Sequence, residues 1–145
     1  MVIVVVGLAV LVGGCGKDEP KRSALAENLA QLCEQARADT EALGLPGDKG
    51  FKVMKPTAAI GLRLAKDVKK LQGTSPAEKE QIASLAKGLG LYYTELAAGV
   101  KLYQAGYPEA YAITLDRAKG ILATAEALAT RVGAPECAVR PFPDR

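Results

Sequence analysis

The chain of 145 residues contains no histidine and no tryptophan, and only two of its residues are phenylalanine. Without histidine, its few cysteines do not make up a usual zinc ligand set, and haem would have neither a histidine ligand nor a Cys-x-x-Cys-His attachment motif. The sequence also has no serine in a nucleophile elbow and no obvious pair of matched carboxylates. We therefore expect no metal site, no cofactor and no catalytic residue, and the chain is predicted not to be an enzyme.

The chain also has no concentrated basic region and no apolar run of membrane-spanning length. Its formal net charge of +3 is too small for the basic surface of a nucleic-acid-binding protein. Residues 1–14 carry no charge, but their apolar core of roughly a dozen residues is shorter than the ~20 that a membrane-spanning helix needs. A core of this size is typical of a signal peptide.

The last residues of this run, Val12-Gly13-Gly14-Cys15, place an aliphatic residue and two small residues before a cysteine. The pattern resembles the lipobox of bacterial lipoproteins. The resemblance implies that residues 1–14 are cleaved off and that the thiol of Cys15 receives a diacylglyceryl group, often with a further acyl chain on the new amine. Two or three chains, at ~0.8 kcal/mol per buried methylene, would anchor the protein durably. The stretch departs from the family because no Lys or Arg precedes Lys17, which leaves open a natural start further upstream.

The expected location is the bacterial cell envelope, with a lipid anchor on the outer face of the cytoplasmic membrane or in the outer membrane. Residues 15–22 are expected to form a lipidated tether, and residues 23–145 a single domain with an irregular C-terminal tail. The alternative interpretation is a hydrophobic N-terminus in which the cysteine occurs by chance.

Beyond the tether, four stretches repeat apolar residues at spacings of three and four, and each predicts a helix. The first is predicted to follow an N-cap at Ser23 and to end at Gly44. A loop is expected over residues 45–55. The second helix is predicted to begin at Pro56, because proline is favoured in the first turn, and to end at Gly73.

The third and fourth helices have the clearest boundaries. Residues 74–78, Thr-Ser-Pro-Ala-Glu, supply an N-cap serine, a proline at the first helical position and the glutamate of a capping box. Gly106 is predicted to end the third helix, Pro108 to open the fourth and Gly133 to end it. Four helices with short links predict an all-α, up-down-up-down four-helix bundle.

With Cys15 lipidated, Cys33 and Cys137 remain as a pair, which in an oxidising compartment most simply forms a disulfide. In an up-down bundle the fourth helix ends beside the first half of the first, where Cys33 lies, so the pairing and the topology support each other. The alternative is two separate buried thiols. The layout also resembles small secreted or lipid-anchored helical proteins of high-GC bacteria, which carry a cysteine in the first helix and a glycine, then a cysteine, after the last. That resemblance implies no activity.

All five tyrosines are confined to the end of the third predicted helix and the start of the fourth: Tyr92, Tyr93, Tyr103, Tyr107 and Tyr111. One interpretation is an aromatic-lined pocket or partner surface, with hydroxyl groups for polar contacts. The other places Tyr92, Tyr103 and Tyr111 in the core with solvated hydroxyls and the remaining two on the surface.

Residues 48–70 contain seven basic and two acidic side chains. Four of them are candidates for a basic face held against anionic lipid by the acyl anchor, where each contributes about 1 kcal/mol: Arg63, Lys66, Lys69 and Lys70. The alternative is a solvated face that the acidic first helix partly neutralises.

These features favour a lipid-anchored, non-enzymatic module that binds an envelope protein or a small ligand and no nucleic acid. One alternative is an envelope enzyme, or an enzyme subunit, that uses the tyrosine cluster or Asp39, a carboxylate in or beside a core position of the first helix. Another is a structural spacer at the membrane surface.

Overall fold

Four α-helices follow one another in a computed structural model of the protein, which describes residues 23–44 and 51–137. Across these residues the structure is helical and contains no strand, so the all-α prediction is confirmed. Cys15 lies outside the described residues. The helices are α1 (Ala24–Glu41), α2 (Phe51–Val68), α3 (Pro76–Gln104) and α4 (Pro108–Val132), and a 3₁₀ turn, Pro135–Cys137, follows α4.

Several helix ends are formed by the residues that the sequence predicts. Ser23 accepts a hydrogen bond from the N–H of Ala26 at the start of α1. At the start of α3, the Ser75 hydroxyl accepts from the N–H of Glu78, and the Glu78 carboxylate accepts from the N–H of Ser75, which completes the capping box. Gly133 ends α4 with a φ of 90°, a left-handed conformation that favours glycine.

The start of α2 differs from the prediction. The helix begins at Phe51, five residues before Pro56, so the predicted loop through residue 55 and the predicted start at Pro56 are wrong. Proline inside a helix has no N–H to donate to the carbonyl four residues earlier, which here belongs to Lys52. The preceding turn is nevertheless helical because it buries Val53 and Met54, each only 5% exposed. Packing against the rest of the bundle therefore outweighs the local cost of proline.

Neighbouring helices run antiparallel, in the up-down-up-down order. α1 packs on α2, α2 on α3, and α3 on α4. Between α3 and α4, the early Gly88 lies against the late Ala125, and the later Gly99 lies against Tyr111 near the start of α4. The two helices therefore run in opposite directions along their common interface.

The predicted disulfide between Cys33 and Cys137 is present, with Cα atoms 4.9 Å apart and 104 residues of sequence separation. Both cysteines are buried. Close by, Gly133 lies against Ala26, where an added Cβ would be 3.3 Å from the Ala26 Cβ. α1 packs mainly on α2 and on the terminal 3₁₀ turn, so the disulfide fastens α1 to the end of α4. In the chain-entropy account a loop of about 100 residues contributes roughly 4–5 kcal/mol to stability.

The core is centred on α3. Four of the seven largest fully buried side chains belong to it, namely Leu85, Leu89, Leu96 and Val100. The buried positions of α4 carry small side chains, which let α4 approach α3 closely. These residues are Thr114, Ala118, Ala125 and Ala129.

The contact between α2 and α3 depends on one glycine. The aromatic ring of Tyr93, which is buried, packs directly on the backbone of α2 at Gly61, and a Cβ at that position would overlap the ring. A side chain at position 61 would therefore push α2 away from α3 or force Tyr93 out of its place. The separation of these two helices is set by this contact.

We expect Gly61→Ala to lower the free energy of unfolding by about 1–3 kcal/mol, the usual cost of overpacking a core. Urea denaturation followed by circular dichroism measures the change. Gly120→Ala is the matched control, because a Cβ at position 120 meets nothing within 4 Å, and the better helix propensity of alanine should stabilise the protein by up to about 1 kcal/mol. Equal stability of the Gly61→Ala variant and the parent would contradict this packing.

Candidate functional site

An open groove of about 550 Å³ lies between α2 and α3, within the range of roughly 300–1,000 Å³ that is usual for small-molecule sites. Its walls are mostly apolar. Small side chains create it, because alanine and glycine leave space above the contact between the two helices. Leu91 at its edge is 47% exposed, so it adds apolar surface that is open to water. The apolar lining consists of Leu62, Ala65, Ala83, Ala86, Gly90 and Leu91.

Three lysines line the same groove. Lys66 lies in the last turn of α2, Lys69 directly follows that helix, and Lys87 projects from α3. All three are exposed, and the lining contains no acidic side chain. Within the ranges that the structure describes, no ion pair involves any of the three. The groove therefore combines apolar walls with an uncompensated positive rim.

The four basic residues predicted to face a membrane separate into two groups. Lys66 and Lys69 line the groove, whereas Arg63 forms an ion pair with Asp39 of α1, and Lys70 forms one with Asp67 at 2.7 Å. The predicted basic face does not include Lys87, because it is drawn from residues 48–70. Lys87 lies four residues after Ala83 and four before Leu91, and this spacing places the three on one face of α3.

Asp39, the residue on which the enzyme alternative relied, lies at the interface of α1 and α2. Its carboxylate pairs with Arg63 and accepts a hydrogen bond from the Gln35 side chain at 2.7 Å. The side chain is 29% exposed. Asp39 does not line the groove. These contacts are those of an ion pair that links two helices.

The five tyrosines do not form one site. Tyr92 and Tyr93 are buried in the middle of α3 with their rings edge to face and centroids 4.7 Å apart. Tyr103 and Tyr111 form a second edge-to-face pair, at 5.3 Å, beside the turn between α3 and α4. Tyr107 precedes α4 and is 61% exposed. Tyr93 is thus buried, although the core interpretation placed it on the surface, and Tyr103, which that interpretation placed in the core, is exposed.

Burial changes the acidity of the inner tyrosines. It raises the pKa of Tyr93 to about 12, and it also raises the pKa of Tyr92, with smaller contributions from Tyr93 and Glu126. The neutral phenol is therefore the form that the core holds. Since the hydroxyl of Tyr93 resists ionisation, it is poorly suited to act as a base near neutral pH.

No match to this chain is found among protein-family models, curated proteins or solved structures. Within residues 23–44 and 51–137, no helix has the length and apolarity needed to cross a bilayer. The same residues contain no group of three or more cysteine, aspartate or glutamate side chains placed to hold a metal ion.

Alkaline pH tests the burial of Tyr93 between α2 and α3. An unfolded phenol ionises near pH 10 and the folded one at about 12, so the stability that the neutral form contributes is intact below pH 10 and is lost as pH rises from 10 to 12. Between about pH 9 and pH 11, the free energy of unfolding of the parent should fall by about 1 kcal/mol more than that of Tyr93→Phe. Urea titrations at both pH values measure this, and parallel losses in the two proteins would contradict the burial of Tyr93.

Proposed function

We propose that the protein is a lipid-anchored module of the bacterial cell envelope that binds its ligand non-enzymatically in the groove between α2 and α3. The observation that carries the proposal is the buried Cys33–Cys137 disulfide in a chain whose remaining cysteine follows a lipobox-like sequence. Disulfides persist outside the reducing cytoplasm. Export from the cytoplasm would account for all three cysteines, because Cys15 would be lipidated and Cys33 and Cys137 would be oxidised to a disulfide.

The form of the groove supports binding rather than catalysis. Its lining offers apolar contact from residues such as Leu62 and Leu91 and positive charge from three lysines, the combination expected of a site for an amphiphilic anion. The alternative that the protein is an enzyme has less support, because Asp39 forms an ion pair with Arg63 and does not line the groove.

Metabolic labelling tests the anchor. The full chain is expressed in a bacterial host with a clickable palmitate analogue, beside its Cys15→Ser variant. We expect label on the parent and background label on the variant, because only the Cys15 thiol can receive the diacylglyceryl group.

The control is the double variant Cys33→Ser with Cys137→Ser, which loses two thiols and keeps Cys15. It should take label like the parent. Absence of label from the parent would overturn the lipoprotein proposal, and equal label on the parent and Cys15→Ser would show that acylation occurs elsewhere.

A further inference from the structure

We infer that the groove between α2 and α3 binds a single anionic phospholipid of the membrane in which the protein is anchored. The phosphate lies among Lys66, Lys69 and Lys87, and one acyl chain lies along Leu62 and Leu91. The inference deepens the proposed function and rests on it for the source of the lipid, whereas the chemistry of the groove is independent of the anchor.

The charge of the groove selects the headgroup. Three exposed lysines line one cleft, two from α2 and the residue after it and one from α3, and no acidic side chain lines it. A phosphate diester supplies the negative charge and the acceptor oxygens that three ammonium groups can share. A zwitterionic lipid would bring its own cation into the same positive field, so anionic headgroups should be preferred.

The walls of the groove fit an acyl chain better than a polar ligand. Ala65, Ala86 and Gly90 form a shallow floor without polar side-chain atoms, and Gly90 approaches Ala65 closely enough that an added Cβ would lie 3.8 Å from the Ala65 Cβ. Leu91 lies beside this floor and is about half exposed. A methylene chain laid along the floor would cover Leu91 and remove apolar surface from water.

The position of the groove in the bundle brings it near the membrane. α1 and α3 begin, and α2 and α4 end, at the same end of the bundle, because neighbouring helices are antiparallel. Lys66 and Lys69 lie at this end, and Lys87 is ~16 Å along α3 from Pro76, at 1.5 Å per residue. The eight residues 15–22 that join the anchor to α1 span at most ~29 Å when extended. The three lysines are thus within reach of the lipid headgroups.

Photo-crosslinking in vesicles tests the site. The full chain, purified from the bacterial host, is reconstituted into phosphatidylcholine vesicles that contain a trace of phosphatidylglycerol with a diazirine in one acyl chain. A parallel sample contains phosphatidylcholine with the same diazirine chain. After irradiation, lipid-modified peptides are mapped by mass spectrometry, and the mass of the N-terminal peptide in the same sample reports whether Cys15 carries its acyl groups.

Two variants and two matched controls separate specific binding from general attraction. Replacing Lys66, Lys69 and Lys87 with glutamine removes the rim, and its control makes the same change at Lys55, Lys101 and Lys119, three exposed lysines outside the groove. Ala83→Trp fills the groove from an exposed position, and Ala127→Trp makes the identical change at an exposed position of α4.

We expect the phosphatidylglycerol probe to label peptides within residues 62–69 and 83–94. Labelling should fall about tenfold or more in the rim variant and in Ala83→Trp, since several lysine contacts to the lipid are lost or the chain is excluded. Both controls should be labelled like the parent. Equal labelling by the two probes, or labelling that Ala83→Trp does not reduce, would each overturn the inference.

The design distinguishes failure of the lipid site from failure of the anchor. An acylated N-terminal peptide without groove labelling contradicts the lipid site and leaves the anchor intact. Groove labelling on a chain whose Cys15 carries no acyl mass supports the site and contradicts the proposed anchoring.

Discussion

The disulfide between Cys33 and Cys137 is the constraint on which the arrangement of the domain depends. α1 packs mainly on α2 and on the short turn that contains Cys137, so its place in the bundle is fixed by a non-covalent contact on one side and a covalent one on the other. The bond joins residues 104 positions apart. A bond of this kind persists in an oxidising compartment, which agrees with the proposed export of the domain.

Small residues determine how closely the remaining helices approach. Gly61 admits the ring of Tyr93, and Gly88 lies against Ala125, so α3 is held tightly between α2 and α4. Where the α2–α3 contact passes Ala65 and Gly90, no larger side chain fills the space above the two helices, and the groove results. The same close packing that stabilises the core therefore also produces the candidate site.

Local signals in the sequence predicted the parts of the fold that depend on a few adjacent residues. The capping box at Ser75 and the helix end at Gly133 involve hydrogen bonds within one or two turns, so their residue types were sufficient. The start of α2 was not predictable in this way, because its extra turn is stabilised by burial of Val53 and Met54 against other helices. Propensity alone placed Pro56 at the start.

The candidate site depends on how α2 and α3 are aligned along each other. The spacing of apolar residues within one helix does not reveal this alignment. Lys66 and Lys87 are far apart in sequence, and they meet at one groove because α2 packs on α3, with Gly61 against Tyr93 in the interface. Tyr93 lies four residues after Leu89 and three before Leu96, which is compatible with burial, and Gly61 opposite it leaves the space that its ring occupies. The groove and the burial of Tyr93 could be identified only once the packing of α2 on α3 was known.

The central claim is that the three cysteines are exported, one lipidated and two joined, and counting free thiols tests it most directly. Cells that express the full chain are quenched in acid, and the denatured protein is alkylated with a polymeric maleimide before or after reduction. The account predicts no modified thiol before reduction and two after it, from a chain with three cysteines. Three modified thiols without reduction would contradict both the anchor and the disulfide, and one before reduction with three after it would contradict the anchor alone.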